Sequence, residues 1–170
     1  MIVELKQLTA HDGREVYDFL QTMPKDENGF INKVAGMPFE DFQTWCERCA
    51  INAQMTEIED GWKVPESIYW LYVDGKPVGM GKLRHALTDS LRVAGGHIGY
   101  AIAPGERNRG YGKLLLKLLL REAAKKGIER ALVTIHNDNI ASIRVALGCG
   151  GVIEQVNEAR NIIWFETRNA

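Results

Sequence analysis

The chain has 170 residues, of which 45% are hydrophobic, 25% charged and 8% aromatic. That length suits one domain spanning residues 1–170, which can bury its own core without a metal or disulfide staple. With 21 basic and 22 acidic residues the net charge is −1. This excludes the strongly basic footprint of a nucleic-acid or anionic-membrane binder. The composition also excludes a largely disordered, collagen-like or disulfide-dense chain.

Met1 to Leu8 alternates as a strand and carries Glu4, unlike a signal peptide. Thr9 can cap a helix from about His11 to Met23, with Val16, Phe19 and Leu20 on one face. Lys25 to Gly36 is polar and holds the turn signal Asn28-Gly29. Pro38 opens a second helix, and Asp60-Gly61 ends that region. Ser67 to Val73 and Pro77 to His85 read as strands joined by an Asp74-Gly75 hairpin turn. Thr88-Asp89-Ser90 reads as a turn, and Val93 to Ala103 as a strand with Gly95-Gly96 inside it. Pro104-Gly105 stops that strand. A glycine-rich stretch, Arg107 to Gly112, feeds a helix reaching Lys126, with Gly127 as its C-cap. Ala131 to Ile135 is a short buried strand. Asn137-Asp138-Asn139 caps a helix to Leu147, and strands 152–156 and 161–167 follow. The order predicts an α/β fold with a mixed, mostly antiparallel sheet and a β-α-β crossover.

The most apolar window, Leu114 to Leu120, contains Lys117 and is too short to span a bilayer. With three cysteines and no export signal, the expected compartment is the cytoplasm. Cys46 and Cys49 form a C-x-x-C, but no second pair or His pair completes a zinc site. Their helical spacing with Phe39, Phe42 and Trp45 reads as two thiols on one helix face. No metal is expected.

The informative stretch runs from Tyr100 to Lys113. A strand ends at proline, a basic loop with Gly110 and Gly112 follows, and a helix begins. Glycines let backbone approach a ligand, and a helix N-terminus attracts an anion. Arg107, Arg109 and Lys113 add full positive charges. Such a loop can hold a pyrophosphate, or it can be an ordinary strand-to-helix turn with surface arginines. The phosphate loop of NTPases and the dinucleotide fingerprint are excluded by residue type and position.

Arg107-Asn108-Arg109-Gly110-Tyr111-Gly112 matches the [QR]-x-x-G-x-[GA] signature of the GNAT superfamily of acetyl-CoA-dependent N-acetyltransferases. Asn139, in Asn139-Ile140-Ala141-Ser142, matches the family's second element. The chain thus resembles this superfamily, and in particular a subgroup of bacterial acetyltransferases, from about Ser67 to Val156. The resemblance implies a GNAT-type sheet with helices on both faces. It implies acetyl-CoA as co-substrate, its pyrophosphate on the amides and side chains of Arg107, Asn108, Arg109, Gly110, Tyr111, Gly112 and Lys113. Tyr100, Ala101 and Ile102 would pair with the pantetheine arm through main-chain groups, beside a slot where this strand splays from Ala131 to Ile135. Asn139 would hydrogen-bond the same arm, with Ser142 in the cofactor-binding set; Asn139 is equally a plain N-cap.

The implied reaction moves acetyl to an amine of a small molecule or peptide, and a homodimer is a possible assembly. His97, near the start of the cofactor-binding strand, is the expected base, since resembling enzymes often carry a glutamate there. It can equally line the sheet or bond a neighbouring loop. Glu106 and His136 are weaker rivals. One departure matters: Ala146 stands where many members have the tyrosine that protonates the thiolate. A catalytically idle acyl-CoA-binding protein is therefore the competing expectation. The aromatics Phe39, Phe42, Trp45 and Trp62 serve either the core or the acceptor pocket.

Overall fold

The computed structural model describes residues 1–58 and 61–170. Strands β1 (Val3–Gln7), β4 (Glu66–Val73), β5 (Lys76–Arg84) and β6 (Ile98–Ile102) form an antiparallel sheet in the order β1-β4-β5-β6. Strand β4 reads as a continuous apolar run because both of its faces are covered. Ile68, Trp70 and Tyr72 face helices α1 (Arg14–Gln21) and α2 (Phe39–Asn52). Tyr69, Leu71 and Val73 face the opposite way, toward helix α4 (Tyr111–Lys125). Leu115, Leu116 and Leu119 of α4 are fully buried there, each contributing about 1.5–3 kcal/mol. A second antiparallel sheet, β7-β9-β8, follows: β7 is Arg130–His136, β8 Val152–Val156 and β9 Arg160–Glu166. Helix α5 (Ile140–Gly148) lies between β7 and β8 in the chain and packs on α4. Among the described residues, no helix is long and apolar enough to cross a membrane.

Several boundaries differ from the sequence expectation. Helix α1 starts at Arg14, not His11, because Thr9 and Asp12 close a turn of their own. Asp12 then accepts the Trp70 indole N–H at 2.7 Å. The Asn28-Gly29 turn joins a short hairpin, β2 (Asp26–Glu27) and β3 (Phe30–Ile31). Of the expected Asp60-Gly61 stop, Asp60 lies outside the described residues. Thr88 does not make a simple turn: its hydroxyl accepts the Leu91 N–H and caps helix α3 (Asp89–Val93). The expected strand from Val93 therefore begins only at Ile98.

The two sheets meet at one place. His97 N–H donates to the Leu132 carbonyl (2.8 Å), and Leu132 N–H donates back to His97 Nδ1 (2.9 Å). Gly95 N–H adds a bond to the Thr134 hydroxyl (2.9 Å). Gly96 adopts φ +60°, and a Cβ there would stand 2.5 Å from the Leu132 oxygen. Only glycine allows this approach. Beyond this junction no ladder joins β6 to β7 among the described residues.

The junction ring is sensitive to acid. Burial, with help from Arg92 and Arg84, pushes the His97 imidazole down to about 4. Unfolded, the same ring takes up its proton near the ordinary value of about 6.5. Between these values the unfolded chain binds the extra proton, so stability falls as pH drops from 6.5 to 4. Above 6.5 this ring contributes no slope, and at pH 4 the loss reaches roughly 3 kcal/mol. Calorimetry across this window should show Tm falling for the native chain and falling less for His97→Gln, whose amide oxygen can still accept the Leu132 N–H. An equally steep fall in the variant would place the acid sensitivity elsewhere.

Candidate active site

Between the diverging sheets lies a cleft of about 1170 Å³. One wall is β6 and the loop after it; the other is the end of β7 and the start of α5. Strand β6 ends its sheet, so one of its edges has no ladder partner. Ala103 N–H donates to Val78 O (2.9 Å), on the β5 side. By antiparallel alternation Ala101 turns its main-chain groups to β5 as well, while Tyr100 and Ile102 turn theirs to the open edge. The Ile102 carbonyl is already bonded by Arg107 Nε at 3.1 Å. The free edge thus offers the N–H and C=O of Tyr100 and the N–H of Ile102. Ala101 lines the cleft without offering its backbone, which narrows the expected set.

The loop that follows is an open cradle of amides. Asn108 (φ +63°) and Gly110 (φ +80°) turn the chain into α4, whose start has no side-chain cap. Among the described residues, no backbone N–H from Arg107 to Lys113 donates to another protein group. Unpartnered amides at the positive end of a helix dipole form an anion seat. The arginine side chains behave differently from the sequence expectation. Arg107 reaches back to Ile102 and pairs with Glu27 (2.9 Å), so it fastens the loop. Arg109 pairs with Glu106 (3.0 Å) on the surface, a contact worth under about 1 kcal/mol and easily exchanged for a phosphate. Lys113 is exposed at the cleft.

Across the cleft, Asn139 caps α5: its Oδ1 accepts the Ser142 N–H at 3.4 Å. Its amide NH₂ has no protein partner among the described residues and lines the cleft. Asn139 therefore serves as a cap while keeping a donor for a ligand. The Ser142 carbonyl accepts the Tyr100 hydroxyl (3.3 Å). Burial raises the Tyr100 pKa, keeping the phenol protonated.

His97 lies away from the cleft lining. It is buried at the sheet junction, does not line the cleft, and commits Nδ1 to the Leu132 amide. This corrects the expectation that its ring faces the mouth. His136 does line the cleft, at the end of β7, and its Nε2 is buried without a partner among the described residues.

Sequence reading also missed what covers the cleft. The β2–β3 hairpin crosses it, with Glu27 on Arg107, Phe30 against Gly99, the Ile31 carbonyl on Lys82 and Gly29 beside His136. The Asn28-Gly29 pair was the only signal, since two-residue strands carry no periodicity. Behind the hairpin Trp45 is buried and Trp62 is exposed at the rim. Cys46 is a core residue of α2, and burial holds the Cys46 and Cys49 thiols up at about 12 and about 11. Neither is a nucleophile near neutral pH. Among the described residues, no group of three or more His, Cys, Asp or Glu could hold a metal ion.

A model of the Acetyltransferase (GNAT) family matches residues 36–150. No curated protein matches the sequence. Solved structures share the fold at low identity. Microcin C7 self-immunity acetyltransferase MccE, solved with acetyl-CoA and AMP, is 17% identical at TM-score 0.70, covering 96% of this chain and 92% of its own. Aminoglycoside acetyltransferase AAC(6')-Ib, solved with coenzyme A, is 14% identical at TM-score 0.66, covering 99% and 96%. A spermidine N-acetyltransferase SpeG chimera from Vibrio cholerae and hSSAT is 13% identical at TM-score 0.64, covering 98% and 96%.

Two substitutions test the cradle. A Cβ at Gly112 would meet Val145 at 3.6 Å, an ordinary contact, so Gly112→Glu should fold. Its carboxylate would stand in the anion seat. Calorimetry should then show coenzyme A affinity falling by at least roughly a hundredfold, from like-charge repulsion and a blocked approach. Asn139→Asp keeps the cap oxygen but cannot donate. It should weaken coenzyme A binding about tenfold with little change in Tm. Unchanged affinity would leave Asn139 a cap alone.

Proposed function

The chain belongs to the acetyltransferase (GNAT) family, and on that premise we propose that it transfers acetyl from acetyl-CoA to a primary amine by direct attack in a ternary complex. The observation that carries this reading is the uncapped start of α4 beside the unpaired edge of β6. The first suits a pyrophosphate and the second suits an extended amide-bearing arm. Acetyl-CoA would supply the thioester. The amides from Arg107 to Lys113 would hold its diphosphate, and Tyr100 and Ile102 would pair with its arm as an added strand. Asn139 would donate its free NH₂ to that arm. An N–H on the open edge of β6 can also donate to the carbonyl oxygen as it gains charge.

Proton handling follows from what the cleft contains. An alkyl amine is only about one part in a thousand neutral at pH 7. Each carboxylate lining the described cleft, Glu27, Glu66 and Glu106, is paired with an arginine. We assign the outgoing proton to water, since His97 is engaged elsewhere and His136 keeps its Nε2 buried. The leaving thiol, with a pKa near 8.5, needs little acid help. Ala146 is fully buried and offers none, but the protonated Tyr100 phenol lines the cleft. The same two features, no unpaired carboxylate among the described lining residues and Ala146, favour the second reading, an idle acyl-CoA-binding protein.

Release of free thiol from acetyl-CoA, screened against amine acceptors, separates the two. The transferase reading expects release that depends on an acceptor and climbs with pH as the amine loses its proton. His97→Gln should keep turnover within about threefold, where loss of a general base would cost 10²-fold or more. Tight coenzyme A binding with no acceptor-dependent thiol across the screen would favour the idle reading.

A further inference from the structure

Among the described residues, four cations line the α2 side of the cleft without a carboxylate partner. Lys33, Arg48 and Lys63 line it from the turn after the hairpin, from α2 and from the segment before β4, and Lys82 lines it from β5. None of the four has a carboxylate within 4 Å among the described residues. Glu66, the acid on this side, is held by Arg84 at 3.4 Å. Lys82 is fixed rather than waving in solvent. Its Nζ donates to the Ile31 carbonyl at 2.6 Å and lies 4.6 Å from the centre of the Phe30 ring. In the β5–β6 register it stands opposite Gly99, three residues from Ile102. Three residues span about 10 Å along a strand, and the cradle begins only beyond Ile102, so Lys82 stands apart from it. Burial, with Arg84 and Lys33 adding repulsion and Glu66 and Cys49 opposing, lowers Lys82 to about 8. It is still mostly charged at pH 7. A partly buried ammonium that touches no carboxylate among the described residues is costly to hold, and an incoming anion offsets that cost.

We propose that the acceptor amine is carried on a molecule that also bears an anionic group, a carboxylate or phosphate, seated on Lys82 with Arg48 and Lys33 around it. This rests on the transferase reading and narrows it. A polycation such as spermidine or an aminoglycoside, the substrates named for two neighbours of the same fold, meets like charge here. Discrimination arises from that repulsion as much as from attraction.

Matched acceptor pairs differing only in the anion provide the test. L-amino acids are set against their amides, and phosphoethanolamine against ethanolamine, with spermidine and kanamycin as polycations. Each is scored for thiol release with acetyl-CoA and for Tm shift with coenzyme A saturating. The anionic member of at least one pair should show kcat/KM roughly tenfold or more above its neutral partner. Whether the carboxylate or the phosphate pair responds identifies the group. Lys82→Gln should collapse that ratio through KM while coenzyme A affinity stays unchanged, and Lys82→Arg should restore it. Three results overturn the proposal: a preference for neutral or polycationic acceptors, a ratio unchanged in both Lys82→Gln and Arg48→Gln, or no response from any pair while coenzyme A binds. Failure to bind coenzyme A at all overturns the transferase reading, and the proposal with it.

Discussion

The contact between His97 and Leu132 is the point on which the molecule's geometry depends. A strand such as β6 would ordinarily continue its pairing onto β7, and the sheet would close. Here a backbone bond and an imidazole bond are made at the start of β6, and no ladder follows. The imidazole takes the Leu132 N–H that would otherwise need a backbone partner. That satisfies a buried donor while the rest of the β6 edge is left open. Gly96 makes the approach sterically possible. The cleft, its free strand edge and the positions of the two walls follow from that single pinned end.

The same pinning explains why the site is legible in the sequence only in part. The amide cradle was legible because its physics is local. Glycines, a proline stop and a helix start sit within a few residues, and the unpartnered N–H groups follow from the backbone alone. Asn139 was legible for the same reason, as a cap that keeps one donor. His97 was not. Its position in the strand pattern was near enough, but which way its ring turns depends on Leu132, 35 residues later. Strand β6 also starts later than alternation suggested, because Thr88 caps a helix where a turn was expected and Gly95-Gly96 leave the extended region. Arg107 shows the same dependence on distant residues. A basic residue in a glycine-rich loop invites assignment to an anion, and here its guanidinium also bonds Glu27, 80 residues earlier, and the Ile102 carbonyl.

That Arg107 contact ties the two halves of the cleft together. Glu27 belongs to the hairpin that crosses the cleft, and Arg107 opens the amide cradle. The pair is half-exposed, so its net strength is small, under about 1 kcal/mol. Its value is geometric. The Arg107 side chain spans from Glu27 to Ile102, so the hairpin and the end of β6 share one anchor. The Lys82 bond to Ile31 is a second anchor on the same hairpin.

Net charge was silent about the acceptor, and the structure explains why. A chain at −1 looks neutral from a distance, since exposed charges of both signs are screened beyond about 8–10 Å. Inside the cleft only groups that line it matter, and pairing sorts them. Each described carboxylate there is paired with a neighbouring arginine, whereas Lys82 is bonded to a carbonyl and stays mostly charged at pH 7. Low-dielectric walls then extend the reach of that remaining charge. The local sign is a property of which partners the fold brings together, so it becomes readable only once β5, α2 and the hairpin share a wall.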